Sequence, residues 1–438
     1  MKGMNRNIYI QTELFKFLND EVKYAVLRNF EGLPYKNESR DIDIIIEESD
    51  YYAIQDNLVK LIEKSRFKIV IFYRSERLIT YVCGSIDDLS LVQLDFFLSC
   101  SVKGLLLVTA KAMLESRVYE NDIWHVSKEF EFLDKYSYLK AIGHKYPDKY
   151  QRVYEEACKS DKINDTIMDV FGIDSLESLI KMPYHDFKKA IIKRNIKNSI
   201  FKALGQYFRF IKWHLNNRLF SHGFAIGFTG PDGSGKTTVI TGLIKVLNQI
   251  QRNVPLFHFR PTVLGNMGDV AHGVGLKKEV DHQWDKPHRG GKTGKLSSFI
   301  RLCYYTIDYI IGYWAKVRMF LSNRMIVVFD RYYTDIVVDS RRSKINLSMT
   351  FIYYFGKLFI PSLKYNILLT ASSDSILARK RELDKVDIDE INSKLEFLKT
   401  KDNYYLVLNE TTPQDAIKNV LLQIYENQHL INKRRLKL

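Results

Sequence analysis

Apolar and polar residues alternate with two different periodicities along the N-terminal part of the chain. Apolar residues recur at helical spacing over 8–20 and 50–64. Helical side chains share a face about every 3.6 residues and strand side chains every two, so the two patterns can be told apart. Short β-branched or alternating runs, typical of strands, occupy 22–27, 42–46, 68–72, 78–83 and 89–98. The pattern predicts a small α+β domain over 1–105.

The pattern changes twice further along the chain. Residues 106–221 keep helical spacing with few strand-like runs and little glycine, which predicts a helical connecting region. From 222 to 438, short apolar runs alternate with amphipathic stretches. Such alternation is typical of an α/β domain with a parallel sheet and helices on both faces. We therefore expect three parts, with boundaries at 1–105, 106–221 and 222–438.

A glycine-rich loop separates the first strand and the first helix of the third part. Residues 230–237 read Gly-Pro-Asp-Gly-Ser-Gly-Lys-Thr and match G-x-x-x-x-G-K-[ST] at every fixed position. Backbone N–H groups of such a loop surround phosphate oxygens, and the following helix N-terminus adds partial positive charge. We expect a nucleoside triphosphate to bind to Gly230, Gly233, Ser234, Gly235, Lys236, Thr237 and Thr238.

Two of these side chains have the chemistry of a phosphoryl-transfer site. Lys236 is placed to reach the β- and γ-phosphates, and the Thr237 hydroxyl is placed to hold Mg²⁺. A second apolar strand ends in Asp330, where P-loop enzymes keep a carboxylate for the same ion. Arg331 follows directly, and its planar guanidinium suits phosphate oxygens. ATP and Mg²⁺ are the expected cofactors.

Two further basic positions follow predicted strands. Arg260 ends the strand after the P-loop helix, at an edge of the sheet where ligands bind, so we predict that it binds the acceptor. Arg379 and Arg381 are predicted to lie at the start of a helix before a charged loop. This arrangement is typical of a lid that closes on the phosphoryl group, although a solvated charged helix fits the same residues.

Over 222–430 these residues resemble the thymidylate kinase family of P-loop nucleoside monophosphate kinases. The loop with its internal acid Asp232, the pair Asp330-Arg331, and Arg260 match the family's motifs. In that family the internal acid faces the acceptor sugar, and the arginine binds the acceptor's monophosphate. The resemblance implies transfer of the γ-phosphoryl group of ATP to a small acceptor such as dTMP, and a homodimer. Lys236, Arg331 and the lid arginines would stabilise the transferring group.

One segment departs from the family. Residues 262–298 are rich in Gly, His and Lys and replace the usual segment after the second strand. This longer form resembles thymidylate-kinase-like proteins that are encoded with bacterial surface-polysaccharide genes. A sugar or glycan precursor is therefore an alternative acceptor. Histidines 258, 272, 282 and 288 have no metal-ligand spacing and are expected to be loop or acceptor contacts.

Three carboxylates define a second candidate site in the first part of the chain. Asp41 and Asp43 lie two residues apart on one strand and share a face, and Asp95 lies on a later strand. Three such carboxylates suit metal ions that assist nucleotidyl transfer. Residues 20–105 resemble the minimal nucleotidyltransferase fold, with Arg28-Asn29 in place of the family's Gly-Ser. A degenerate domain used for binding is the alternative.

A basic amphipathic stretch over 184–219 precedes the P-loop part. It holds nine Lys or Arg and one acid, with isoleucine, leucine and phenylalanine at helical spacing. The pattern favours a linker helix packed on the kinase part with a solvated basic face. Peripheral contact with an anionic membrane is the alternative.

Composition narrows the function classes only slightly. A net charge of +15 favours anionic partners, although no motif indicates nucleic acid. The four dispersed cysteines, together with the lack of a signal-like or bilayer-spanning apolar run, predict a reduced, cytoplasmic protein. Beside the kinase, two other classes stay open. One is a nucleotidyltransferase that modifies a protein or RNA partner, and the other is an ATP-bound interaction protein.

Overall fold

The computed structural model describes residues 6–37, 39–264 and 294–437. The chain forms two compact units. The first comprises Met1–Phe220 together with Tyr425–Leu438, and the second comprises Ser221–Ile424. The last helix therefore begins in the second unit and ends in the first, whereas the sequence pattern groups all of it with the P-loop part.

The first unit contains the helices and strands that the periodicity predicts, and several more. Its helices are α1 (Arg6–Glu21), α2 (Glu48–Lys64), α3 (Ala110–Glu115), α4 (Lys128–Ala141), α5 (Gln151–Cys158), α6 (Ile163–Phe171), α7 (Leu176–Lys181) and α8 (Tyr184–Leu219). Its strands are β1 (Tyr24–Val26), β2 (Asp41–Ile46), β3 (Phe67–Arg74), β4 (Leu78–Ser85), β5 (Leu91–Phe97), β6 (Ser99–Val102), β7 (Leu105–Thr109), β8 (Val118–Glu120) and β9 (Ile123–His125).

Seven of these strands form one mixed sheet in the order β3-β4-β5-β2-β1-β9-β8. The central pair, β2 and β5, is parallel, with Asp43 opposite Asp95. The sheet extends past residue 105, because β9 pairs with β1 and β8 with β9. The region predicted to be a helical connector with few strands thus contributes β8 and β9 to this sheet, and strands of three residues are too short to show a period. Apolar residues pack on both faces of the sheet.

The second unit is a five-stranded sheet with helices around it. The strands are β10 (Ala225–Thr229), β11 (Leu256–His258), β12 (Val327–Asp330), β13 (Tyr365–Thr370) and β14 (Tyr404–Leu408). The helices are α9 (Lys236–Leu247), α10 (Lys295–Gly312), α11 (Arg318–Ser322), α12 (Tyr333–Val338), α13 (Met349–Phe359), α14 (Ser373–Arg379), α15 (Lys385–Lys399) and α16 (Pro413–Leu436).

Every strand pair in this second sheet is parallel, in the order β11-β12-β10-β13-β14. The predicted mixed α/β fold with a parallel sheet is confirmed for this unit. Parallel strands place all their carboxyl ends at one edge, where α/β folds bind ligands. The loops after β10, β11, β12, β13 and β14 therefore meet at this edge.

The length and polarity of the helices show whether any of them could cross a membrane. Among the described residues, no helix combines the length and the apolar character that crossing a bilayer would require.

Candidate functional site

The glycine-rich loop follows β10 directly, and α9 begins at Lys236. Gly233 and Gly235 adopt left-handed backbone conformations, with φ of 89° and 90°. Other residues reach this region only at a cost in free energy. A Cβ on Gly235 would lie 2.3 Å from the side-chain nitrogen of Asn409, and one on Gly230 would lie 1.9 Å from the Leu369 carbonyl oxygen. The loop conformation therefore requires glycine at these positions.

The start of α9 has the features of an anion site. The N-cap residue, Gly235, provides no side chain to accept from the first N–H groups. Those groups have no partner within the helix, and the helix dipole adds partial positive charge there. Thr237 and Thr238 are exposed on the first turn. Side-chain-free loop positions and uncapped N–H groups together fit a phosphate group.

The Lys236 side chain folds back over its own loop. Its Nζ atom donates to the carbonyl oxygens of Gly230 and Pro231, each at 2.8 Å. Burial, together with the neighbouring charge of Arg331, lowers the pKa of this ammonium group to about 8. The cation is thus held at the loop, close to where phosphate oxygens would lie.

A network of opposite charges surrounds the internal acid of the loop. Asp232 accepts from both Arg331 and Arg342. Arg331 also donates to both carboxylate oxygens of buried Asp335, at 2.8 and 3.0 Å. Burial alone would raise the pKa of Asp232, but the charges of Arg331, Lys236 and Arg342 hold it well below its ordinary value. Asp232 is therefore a carboxylate with two guanidinium partners.

Asp330 and Arg331 lie where the sequence predicts, at the end of β12. Phe228 of β10 and His258 of β11 are its register neighbours, so Asp330 is at the same sheet edge as the loop. Its Oδ2 atom lies 3.3 Å from Nδ1 of His258. The next residue, Arg331, has a φ of 71°. A non-glycine residue in this region is strained, and such strain is concentrated at functional sites.

Arg260, the predicted acceptor residue, is buried in an ion pair. Its Nη1 atom lies 2.9 Å from Oδ2 of Asp308, and its guanidinium stacks over Tyr305 at 4.5 Å. Only 6% of Arg260 and none of Asp308 is exposed. Asp308 also accepts from the backbone N–H groups of Val263 and Leu264. In this arrangement Arg260 holds the chain after β11 against α10.

Of the two predicted lid arginines, Arg379 is the last residue of α14, and Arg381 follows the helix. The helix is capped by Ser372 at its N-terminus and ends at Arg379, so the prediction of a helix start at these arginines was wrong. Arg379 donates to the Asn409 carbonyl oxygen at 2.8 Å, and Arg381 is exposed in the connection to α15. A Cβ on Gly233 would lie 3.1 Å from the Ile376 carbonyl oxygen. The end of α14 is therefore next to the glycine-rich loop.

Three residues of this site were missed by sequence reasoning. Asn409 follows β14 and donates to the Ser234 carbonyl oxygen at 2.8 Å, so it supports the loop. Its position just after a strand, at the ligand edge, was an available signal. Asp335 lies four residues after Arg331, a helical spacing that suggests a pair. Asp308 gave no signal, because its partner Arg260 is distant in sequence.

The first unit holds a separate cluster of acids. Asp41, Asp43 and Asp95 each offer a carboxylate oxygen within 4.8 Å of the others. Thr80 donates to Asp95 at 2.6 Å, and Gln93 donates to it at 3.0 Å, so this carboxylate is fixed in place. The structure brings together the three acids that the sequence pattern groups. Convergent carboxylate oxygens are the ligands that Mg²⁺ and Mn²⁺ prefer.

Arg28 occupies one side of this cluster. Its Nε atom lies 2.6 Å from Asp43 Oδ2, and its Nη1 atom lies 3.0 Å from Asp134 Oδ2. Burial raises the pKa of Asp43 to about 7, although the Arg28 charge opposes the shift. Arg28 therefore forms an ion pair with one of the three acids. A metal ion would share Asp43 with this guanidinium.

Some predicted acceptor positions lie outside the described residues. They comprise most of the 262–298 segment, including His272, His282 and His288. Two arginines follow α12: Arg342 pairs with Asp232, whereas Arg341 pairs with Asp387 at 2.8 Å.

The sequence matches no protein-family model and no curated protein. Among solved structures, thymidylate kinase from Ehrlichia chaffeensis is similar over 47% of this chain and 97% of its own length. The two share 16% identical residues, with a TM-score of 0.30. A similarity this weak decides neither fold nor function, so any assignment depends on the residues of the site.

Proposed function

We propose that the second unit is an ATP- and Mg²⁺-dependent phosphotransferase of the thymidylate kinase type. The observation that carries the proposal is the meeting of the Lys236 loop with Asp330 and Arg331 at one edge of a parallel sheet. A phosphate-binding loop and a strand-end carboxylate on the neighbouring strand are the parts that phosphoryl transfer requires.

Different residues would bind the phosphates, hold the metal ion and stabilise the transferring group. The glycine-rich loop and the first turn of α9 bind the phosphates through backbone N–H groups. Lys236 turns from the loop carbonyls to the phosphate oxygens. Thr237 and Asp330 are the residues that would hold Mg²⁺, which supplies positive charge at the transferring group. Arg331 and Arg379 add cationic donors, and the segment after α14 excludes water.

The charge network around Asp232 supports a small polar acceptor. Arg331 and Arg342 present guanidinium groups that suit a phosphate or carboxylate, and Asp232 suits a sugar hydroxyl. A nucleoside monophosphate such as dTMP carries both groups. A sugar or surface-polysaccharide precursor offers hydroxyls to Asp232 and is the second acceptor class.

An ATP-consumption screen tests this proposal. The purified protein is incubated with dTMP, other nucleoside monophosphates and sugars, and product formation is measured for the wild type and for Lys236→Ala. Lys245→Ala, an exposed lysine on the same helix, is the matched control. Acceptor-dependent ATP consumption that only Lys236→Ala abolishes supports the kinase. Consumption of ATP by Lys236→Ala at the wild-type rate contradicts it, and the absence of any phosphorylated acceptor favours an ATP-bound interaction protein.

The acidic cluster of the first unit supports a second activity, metal-dependent nucleotidyl transfer to a protein or RNA partner. The supporting observation is the convergence of Asp41, Asp43 and Asp95 within 4.8 Å. Incubation with labelled ATP and a cell extract, followed by detection of labelled macromolecules, tests it. Labelling that Asp41→Ala abolishes and Lys236→Ala preserves supports this activity. Equal labelling by the wild type and Asp41→Ala contradicts it.

A further inference from the structure

One face of α8 packs on other residues of the first unit. The ring of Trp213 lies under the Arg74 guanidinium at 5.1 Å, and Asn217 donates to the Tyr73 hydroxyl at 3.2 Å. Near the start of the helix, Phe187 and Ile191 are fully buried. These contacts fix which side of α8 faces the domain and which side faces outward. These contacts lie within the first unit, and packing of the helix on the kinase part stays a prediction.

The outward face of α8 is apolar. Ile200, Leu204, Phe208 and Leu215 are 48–64% exposed, and they recur at spacings that place them on one side of the helix. Phe201, at the edge of this stripe, is 84% exposed. Ile192 and Ile196 are also exposed, before the break in helical geometry at Ser199. Contiguous exposed apolar surface of this kind marks an interaction site.

Exposed lysines lie beside the two exposed isoleucines that precede Ser199. Lys189, Lys193 and Lys197 are all exposed, and their helical positions lie beside Ile192 and Ile196. The whole helix contains nine Lys or Arg residues and one acidic residue, Asp186. A partner for this surface must therefore be negatively charged and must also accept apolar side chains. The headgroup and acyl boundary of an anionic bilayer has both properties.

We propose that the outward face of α8 binds the surface of an anionic membrane, with the helix lying in the plane of the interface. The apolar stripe enters the acyl boundary, and the lysines contact lipid phosphates. Phe201 and Phe208 provide the largest exposed apolar side chains for insertion. This proposal depends on neither of the activities proposed above, because it uses residues of neither site.

Flotation of the full-length protein with vesicles tests the proposal. One set of vesicles contains phosphatidylglycerol and phosphatidylcholine, and the other contains phosphatidylcholine alone. The test variants are the triple change Lys189→Glu, Lys193→Glu, Lys197→Glu and the double change Phe201→Ser, Phe208→Ser. The matched controls are Lys16→Glu, Lys60→Glu, Lys145→Glu, which changes net charge equally, and Leu358→Ser, Val386→Ser, at other exposed apolar positions.

We expect the wild type to float with the anionic vesicles at low salt and not with the neutral ones. Both test variants lose at least about tenfold in vesicle affinity, whereas both controls bind as the wild type does. Circular dichroism and thermal melting establish that every variant is folded. No flotation with anionic vesicles at low salt overturns the proposal. An equal loss in the charge-matched control also overturns it, since attraction would then follow from net charge alone.

The same samples also test whether the apolar stripe is covered by a second copy of the chain. Light scattering is measured on the wild type and on Phe201→Ser, Phe208→Ser. If the wild type is a dimer and the double change dissociates it, a second copy covers the stripe. The membrane proposal is then wrong. The same oligomeric state in both proteins, combined with loss of flotation in the variant, supports it.

Discussion

The Nζ atom of Lys236 lies 3.7 Å from Oδ1 of Asp232, four residues earlier in the same loop. Asp232 in turn accepts from Arg331, which begins the segment after the neighbouring strand. The loop lysine is therefore linked, through one carboxylate, to the cation at the end of β12. In the proposed reaction, a phosphoryl group at this edge would meet charges that are already oriented, and such charges stabilise phosphoryl transfer.

Replacement of Lys236 by alanine tests the role of this charge. We expect Lys236→Ala to lower ATP turnover by at least about 100-fold, because the proposed transfer loses the cation of the glycine-rich loop. The fold should persist, because the hydrogen bonds of the ammonium group go to carbonyl oxygens of its own loop, those of Gly230 and Pro231. Steady-state kinetics and thermal melting are the measurements, with Lys245→Ala as the control. Turnover within a few-fold of the wild type would refute the role.

The glycine requirement of the loop gives a second prediction. Gly235→Ala places a methyl group 2.3 Å from Asn409 Nδ2 in a left-handed conformation, so it should destabilise the fold by about 1–3 kcal/mol and weaken ATP binding. Gly205→Ala on α8 is the contrasting control, because that glycine is helical and meets no atom within 4 Å. We expect the control to be neutral or up to about 1 kcal/mol more stable. Chemical denaturation and calorimetric titration with ATP distinguish the two.

The buried pair of Arg260 and Asp308 predicts a large effect on stability. Arg260→Ala leaves the Asp308 carboxylate buried without its cation, and breaking such a pair costs about 3–5 kcal/mol. Arg252→Ala, an exposed arginine before the same strand, should change stability by less than about 0.5 kcal/mol. Urea denaturation measures both. An Arg260→Ala protein that unfolds like the wild type but has a raised acceptor KM would show that the arginine serves the acceptor and not the fold.

The acidic cluster predicts a metal site in the first unit. Titration of nucleotide-free protein with Mn²⁺ should show a site that Asp95→Asn weakens at least about tenfold, because one of three convergent carboxylates is lost. Asp56→Asn, an exposed carboxylate on α2, is the control and should bind as the wild type does. Equal Mn²⁺ affinity in wild type and Asp95→Asn would mean that the three acids hold no ion.

Local sequence was sufficient for much of the second unit. The glycine-rich loop is contiguous, and its left-handed conformations, its helix N-terminus and Lys236 all follow from neighbours in the chain. The strand that ends in Asp330 is likewise readable, since a continuous apolar run followed by a carboxylate is a local pattern. The grouping of Asp41 with Asp43 was also predictable, because side chains two residues apart on a strand share a face.

Only the tertiary structure decided how these residues are paired. Arg260 meets Asp308, 48 residues away, and Arg28 meets Asp134, 106 residues away. Such pairs depend on which elements become neighbours, and no local period encodes that. The pKa of Asp43 is a result of the same kind, since the cost of charging it follows from burial in the assembled sheet. The sequence alone determined which chemical groups are present, and the packing decided which of them are buried, paired or left facing outward.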